Sequence, residues 1–243
     1  MDEWRAVADM HSAMPAKALS YHFLTRHREK ALSKAVSKST SSTTGGHKPK
    51  GSNQLRIIGG QWRGRKLSFP DVDGLRPTGD RLRETLFNWL APDIHGANCL
   101  DLFAGSGALG LEALSRGAAS SLLIERDSRA ATQLKSNLDL LKADGGKVLQ
   151  MDALGYLQRS ATELPNAMFD VVFIDPPFQL NLWQVVIDQL EQQQLLREGA
   201  AIYIESGLND HYLPPVNWRL HRDKTSGSVH YRLFYREASP AAN

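Results

Sequence analysis

Cys99-Leu100-Asp101-Leu102-Phe103-Ala104-Gly105-Ser106-Gly107-Ala108-Leu109-Gly110 passes from a short apolar run, through a glycine-rich turn, into a segment of helical spacing. Glycines there let the chain turn tightly and bring its backbone against a ligand, with the first amides of a helix aimed at polar groups. Beyond this stretch, apolar runs and helical segments alternate. Strands are expected at Cys99–Phe103, Ser121–Glu125, Lys147–Gln150, Phe169–Ile174 and Ala200–Glu205, with helices near Ala108–Arg116, Ser128–Leu141, Ala153–Arg159 and Leu182–Leu195. Short apolar strands that do not alternate with polar residues, set between helices, imply an α/β fold with a mostly parallel sheet covered on both faces. Val216–His221 and Val229–Arg236, joined through Ser226-Gly227-Ser228, read as an antiparallel C-terminal hairpin at the sheet edge, bringing the sheet to seven strands.

The glycine loop points to an adenosine-bearing cofactor. Twenty residues after Gly105, at the end of the next strand, Glu125 is placed to take both hydroxyls of a ribose. Gly105-x-Gly107-x-x-Gly110 with Glu125 also fits a dinucleotide fingerprint, so the loop leaves NAD and S-adenosylmethionine open. Asp101 favours the second. Its carboxylate would meet the cationic amino acid end of S-adenosylmethionine but repel a pyrophosphate. Asp152, after the third strand, is placed to receive an adenine amino group, and Phe103, Ser106, Arg126 and Ala153 flank the same tips. Each carboxylate alone has an ordinary reading as a helix cap or solvated loop acid. Three at successive strand ends are harder to assign that way.

Asp175-Pro176-Pro177-Phe178 follows the apolar run Phe169–Ile174 directly. Ligands of open α/β sheets bind at the carboxyl ends of the strands, which puts these four residues in the site as its catalytic group. Consecutive prolines fix the backbone and remove two donors. The Asp175 carboxylate and the Pro176 carbonyl are then acceptors for both hydrogens of an –NH₂ group. That frees a lone pair otherwise delocalised into a base ring. Phe178 offers a face on which an extruded base stacks. The competing view is a Pro-Pro strand terminator with Asp175 as a cap and Phe178 in the core.

Charge is uneven along the 243 residues. Positions 1–50 hold nine Lys/Arg against four Asp/Glu, so the net charge of +3 hides a basic tail and a slightly acidic remainder. Residues 1–53 form a basic tail of Ser-, Thr-, Lys- and Gly-rich linker composition expected to be disordered, with a short helix at Ala16–Ala35. Residues 54–95 read as a hairpin-helix appendage. Its hairpin spans Leu55–Phe69 with glycines at the turn, and Thr78 or Asp80 caps a helix whose Leu82, Leu86 and Leu90 share one face. Arg56, Arg63, Arg65, Lys66, Arg76, Thr78, Arg81 and Arg83 make this segment the expected RNA platform, with Arg81 and Arg83 off the apolar face. Residues 96–238 carry the catalytic domain and 239–243 a disordered end. A lone Cys99 excludes an internal disulfide and reads as a buried structural thiol. His211, His221 and His230 lack metal-ligand spacing, and no metal site is expected. No apolar run reaches the length of a membrane span and no leader pattern opens the chain, so a cytoplasmic protein without membrane contact is expected.

Arg76-Pro77-Thr78…Arg81-Leu82-Arg83-Glu84-Thr85-Leu86-Phe87-Asn88, the stretch Asp101–Gly110 and Asp175–Phe178 together resemble the RsmD family over about Leu55–Glu237. The resemblance implies a class I Rossmann-like methyltransferase fold, S-adenosylmethionine as cofactor and the 2-amino group of one guanine in 16S ribosomal RNA as target. It further implies action on the small ribosomal subunit or its precursor; separately, a monomer is expected. The Asp-Pro-Pro-Phe motif itself does not select guanine, so a DNA or RNA adenine amino-methyltransferase remains an alternative. An NAD-dependent oxidoreductase is another, although no Tyr-x-x-x-Lys pair accompanies the loop. A non-catalytic RNA-binding module on the same fold is the third.

Overall fold

The computed structural model describes residues 53–72, 79–163 and 168–238. The expectations for the tail before Asn53, for the Ala16–Ala35 helix, for Arg76 and Thr78, and for residues 239–243 lie outside them. Strand β1 (Asn53–Arg56) pairs antiparallel with β2 (Lys66–Phe69), placing Leu55 opposite Leu67. A seven-stranded sheet follows, built from β3 (Asn98–Asp101), β4 (Ser120–Glu125), β5 (Gly146–Gln150), β6 (Phe169–Ile174), β7 (Leu196–Gly207), β8 (Trp218–Ser226) and β9 (Val229–Arg236). Its spatial order is β5-β4-β3-β6-β7-β9-β8.

Strands β3 to β7 are mutually parallel, and β9 runs antiparallel to both neighbours. The expected C-terminal hairpin is present. Its first strand, β8, lies outermost and parallel to β7, while β9 returns along β7, so β9 alone opposes the rest. The chain moves outward from β3 through β4 to β5, then restarts beside β3 with β6. That reversal opens a crevice between the carboxyl ends of β3 and β6, where such sheets bind ligands.

Helices α1 (Asp80–Trp89), α2 (Gly110–Ser115) and α3 (Ser128–Leu141) contribute to the cores on one face. Helices α4 (Ala153–Glu163) and α5 (Trp183–Gln192) cover the other. In α5 the buried residues Trp183, Val186, Ile187 and Leu190 follow the spacing of one helical stripe, which is why this segment is a helix that docks rather than a loop. Cys99 is fully buried in β3, and burial pushes its thiol well above the ordinary range, as a structural cysteine requires.

The hairpin at the start does not stand apart from the sheet. Ile57 and Leu67 join Leu111, Leu134 and Leu138 in one buried cluster, and Asn137 Nδ2 donates to the Ser68 carbonyl at 2.9 Å. Gly60 has a φ of +74°, and a Cβ there would lie 1.8 Å from the Ser115 carbonyl oxygen, so the turn docks on α2 only as glycine.

Helix α1 corrects one expectation. Its N-cap is Gly79, not Thr78 or Asp80, and its buried stripe is Arg83, Leu86, Phe87 and Leu90, with Leu82 only half-buried. Arg83, expected on the outer face as an RNA contact, is 0% exposed. It pairs with Asp80 at 2.7 Å, lies 3.6 Å from the Glu112 carboxylate and donates to the Arg56 carbonyl at 3.0 Å. A guanidinium so enclosed joins helix to hairpin and meets no RNA in this arrangement.

Candidate functional site

The site begins where β3 ends. Asp101 is 2% exposed, and its Oδ2 accepts the Gly110 amide at 3.0 Å, so a carboxylate closes the N-terminus of α2. Burial pushes this carboxyl up to about 7, with the nearby Glu125 charge adding to the shift and amides of Gly110 and Phe103 opposing it. In the loop, Gly107 has a φ of +81°, and a Cβ there would sit 2.6 Å from side-chain carbons of Leu111 and Leu134. Glu125, at the end of β4, accepts from Gly105 N at 2.8 Å and from Asp127 N at 2.6 Å. The glycine turn is therefore held from both sides by acids that sequence spacing alone had put near it.

This arrangement separates the two cofactor chemistries left open by the fingerprint. A pyrophosphate needs the loop and helix amides as donors. Here the amides of Gly105 and Gly110 are already given to carboxylates, and an anion beside the buried Asp101 would oppose its ionisation further. An ammonium group fits instead, because it returns Asp101 to its ionised form. Asp152, exposed after β5, accepts the Gly155 amide at 2.8 Å and so caps α4 with one oxygen. Phe103 is half-buried beside these tips, Ser106 and Ala153 are buried, and Arg126 is exposed.

Asp101 carries a stability consequence of definite sign. Its native value of about 7 lies above the ordinary 3.8, so between about pH 4 and pH 7 the folded state binds more protons than the unfolded chain. Unfolding free energy from this group then falls as pH rises through that window, and the penalty is complete above it. We expect Asp101→Asn to remove that slope: urea midpoints at pH 5 and pH 8 should differ less for the variant than for the parent. Equal differences would remove Asp101 as the titrating group.

Asp175-Pro176-Pro177-Phe178 continues β6 on the other side of the crevice, since Asp101 lies opposite Phe173 in the β3–β6 pairing. Pro176 is buried, and Asp175 and Phe178 are half-buried. The Pro177 carbonyl is engaged by Leu180 N at 2.9 Å, closing a 3₁₀ turn over Phe178–Leu180. Phe178 packs against Trp183 with ring centroids 5.8 Å apart, and Trp183 Nε1 donates to the Glu205 carbonyl at 2.8 Å. The ring is thus braced from below by a fixed indole. Of the basic residues expected on RNA, Arg56, Arg63, Arg65, Lys66 and Arg81 are exposed, and Arg56 shares Asp80 with the buried Arg83 at 2.8 Å.

The tips together carry one residue that spacing did not single out. Asp152, Glu125, Asp101 and Asp175 mark four parallel strand ends, and Glu205 near the end of β7 marks the fifth. The same rule, an acid closing an apolar run, was available at Ala200–Glu205 but no glycine or proline motif drew attention to it.

Residues 55–235 match the family described as conserved hypothetical protein 95. Ribosomal RNA small subunit methyltransferase D of Escherichia coli K12 is 55% identical over 190 residues, covering 77% of this chain and 93% of that protein. Its counterpart in Haemophilus influenzae is 47% identical, covering 76% and 96%. A solved structure of yhhF, a putative methyltransferase from Escherichia coli, superimposes with a TM-score of 0.70 at 50% identity, covering 77% of this chain and all of that one. With the match running from the first hairpin to the last strand, and with relatives this similar along nearly their whole length, this chain belongs to the RsmD family, conserved hypothetical protein 95.

Proposed function

We propose that this protein is an S-adenosylmethionine-dependent methyltransferase acting on the exocyclic 2-amino group of one guanine in 16S ribosomal RNA, within the small ribosomal subunit or its precursor. The observation that carries the reading is the meeting of two tips across one crevice: the buried acid Asp101 on β3 and Asp175-Pro176-Pro177-Phe178 on β6. The first suits the cationic end of the cofactor, with Glu125 for its ribose and Asp152 for its adenine, and Phe103, Gly105, Ser106, Gly107, Arg126 and Ala153 around them. The relatives named ribosomal RNA small subunit methyltransferase D support the substrate class, and guanine itself rests on the family resemblance.

S-adenosylmethionine, when bound, supplies an activated methyl group on a sulfonium, already a good leaving group. The chain's own residues therefore contribute alignment more than activation. Asp175 and the Pro176 carbonyl accept the two amine hydrogens, and the lone pair turns out of the ring plane toward the crevice. Phe178 stacks on the base, worth about 1–3 kcal/mol for such contacts. After transfer the nitrogen sheds one proton, and the Asp175 carboxylate, already in contact, receives it. Exposed Arg56, Arg63, Arg65, Lys66 and Arg81 hold phosphates, with Arg76 and Thr78 assigned to the same surface by sequence.

Mass spectrometry of 16S ribosomal RNA from a strain lacking the gene tests this. One 2-methylguanosine should disappear and return with the intact gene. An unchanged modification profile would end the reading, and calorimetric binding of NAD in place of S-adenosylmethionine would revive the oxidoreductase.

A further inference from the structure

Each of the five parallel strands carries an acid at or near its carboxyl end, and four of these acids have assigned roles. The fifth, Glu205, lies beside Asp175. Ile174 is opposite Ile204 in the β6–β7 pairing, so the next residue on each chain is its neighbour's neighbour, on the sheet face shared by Phe173 and Tyr203. Adjacent strands are about 4.8 Å apart, a spacing that lets two carboxylates serve adjoining donors on one base edge. The Tyr203 phenol reports the same proximity: it is raised well above its ordinary value by burial first, then by the charges of Glu205 and Asp175.

Glu205 is 7% exposed, and its Oε2 accepts from the Tyr203 hydroxyl at 2.9 Å. Its backbone carbonyl receives the Trp183 indole that braces Phe178. A core position of this kind is filled more cheaply by leucine, since burying a charge costs several kcal/mol unless donors compensate. Burial holds the Glu205 carboxyl above its ordinary value, and the tyrosine hydroxyl offsets only part of that. A further donor arriving with the ligand would satisfy it.

We propose that Glu205 is the specificity-determining acceptor for the ring N1–H of the target guanine, next to the 2-amino group held by Asp175 and the Pro176 carbonyl. This rests on the guanine reading above. Guanine places a ring N–H beside its amine. Adenine and cytosine place a ring lone pair there, which a carboxylate repels. Asp-Pro-Pro-Phe serves amines generally, and Glu205 supplies the choice among them.

The test uses the full chain and small subunits reconstituted with either guanine or 2-aminopurine at the mapped target. 2-Aminopurine keeps the 2-amino group but carries a lone pair at N1. The parent protein should prefer guanine by about 100-fold or more in kcat/KM, as for sites built to pair a polar edge. Glu205→Gln can donate to the 2-aminopurine N1 and still accept through its oxygen, so its preference should shrink at least about 10-fold. A glutamate that only supports the fold would lower both substrates equally, and an unchanged ratio overturns the proposal. If Glu205→Gln does not fold, the parent alone decides: equal kcat/KM on the two particles overturns it. A parent inactive on guanine particles overturns the base reading as well, which separates the two failures.

Discussion

Asp175→Ala should lower kcat for methyl transfer to unmethylated small subunits by about 10²–10⁴-fold, the range for removing a positioned proton acceptor or a charge-stabilising group. Its affinity for S-adenosylmethionine should stay within about twofold. The split follows from geometry. The groups assigned to the cofactor sit on β3, β4 and β5, whereas Asp175 continues β6 across the crevice. Alanine leaves the Pro176 carbonyl in place, so one amine hydrogen is still held, but the lone pair is no longer directed and the departing proton has no nearby acceptor. Asp175→Asn, which keeps an acceptor oxygen without charge, should fall between parent and alanine. Single-turnover transfer of labelled methyl groups gives kcat, and titration calorimetry gives Kd. If the alanine variant keeps a tenth of the parent rate, Asp175 leaves the mechanism, and the non-catalytic alternative fails with any turnover by the parent.

The second large effect concerns stability. Glu112 is 0% exposed in α2 and accepts the amides of Ile58 at 2.8 Å and Gly59 at 2.7 Å. The same carboxylate pairs with Arg116 at 2.7 Å and faces Arg83 at 3.6 Å. One side chain thus ties the turn after β1 and helix α1 to the helix that follows the cofactor loop. Glu112→Gln keeps the volume but turns one acceptor into a donor aimed at backbone amides, and removes the charge opposite a buried guanidinium. Breaking a buried pair in this way costs about 3–5 kcal/mol. For a domain of this size that lowers Tm on the order of 10 °C. Asp80→Asn is the control. Its carboxylate is 48% exposed, so the loss of its pairs with Arg56 and Arg83 should stay near about 1 kcal/mol. A Glu112→Gln protein that melts within 2–3 °C of the parent, a range worth about 1 kcal/mol, would show that this carboxylate does not hold the hairpin.

Arg83 and Glu112 also show where sequence reading stops. Leu82, Leu86 and Leu90 gave α1 an apolar face, and the arginines fell outside it. The buried stripe runs instead through Arg83, Leu86, Phe87 and Leu90, a spacing of three, four and seven that is equally helical. An arginine in such a stripe reads as surface until its partner is known, and Glu112 lies 29 positions away in another helix. The outermost place of β8 was hidden for a related reason, because a hairpin can add to a sheet by either strand and only packing against β7 decides which.

What the sequence determined by itself is whatever is written in neighbouring residues. Alternating apolar runs and helical stripes specify a parallel α/β sheet, glycines that must turn mark the loop after its first strand, and Asp175-Pro176-Pro177-Phe178 marks a rigid strand end, because each depends on local backbone geometry. The tertiary structure alone decided what depends on residues distant along the chain. It placed Asp101 against the α2 N-terminus, buried Arg83 against Glu112, and set Glu205 beside Asp175. Charge burial and strand adjacency are properties of the packed sheet, and no local pattern encodes them.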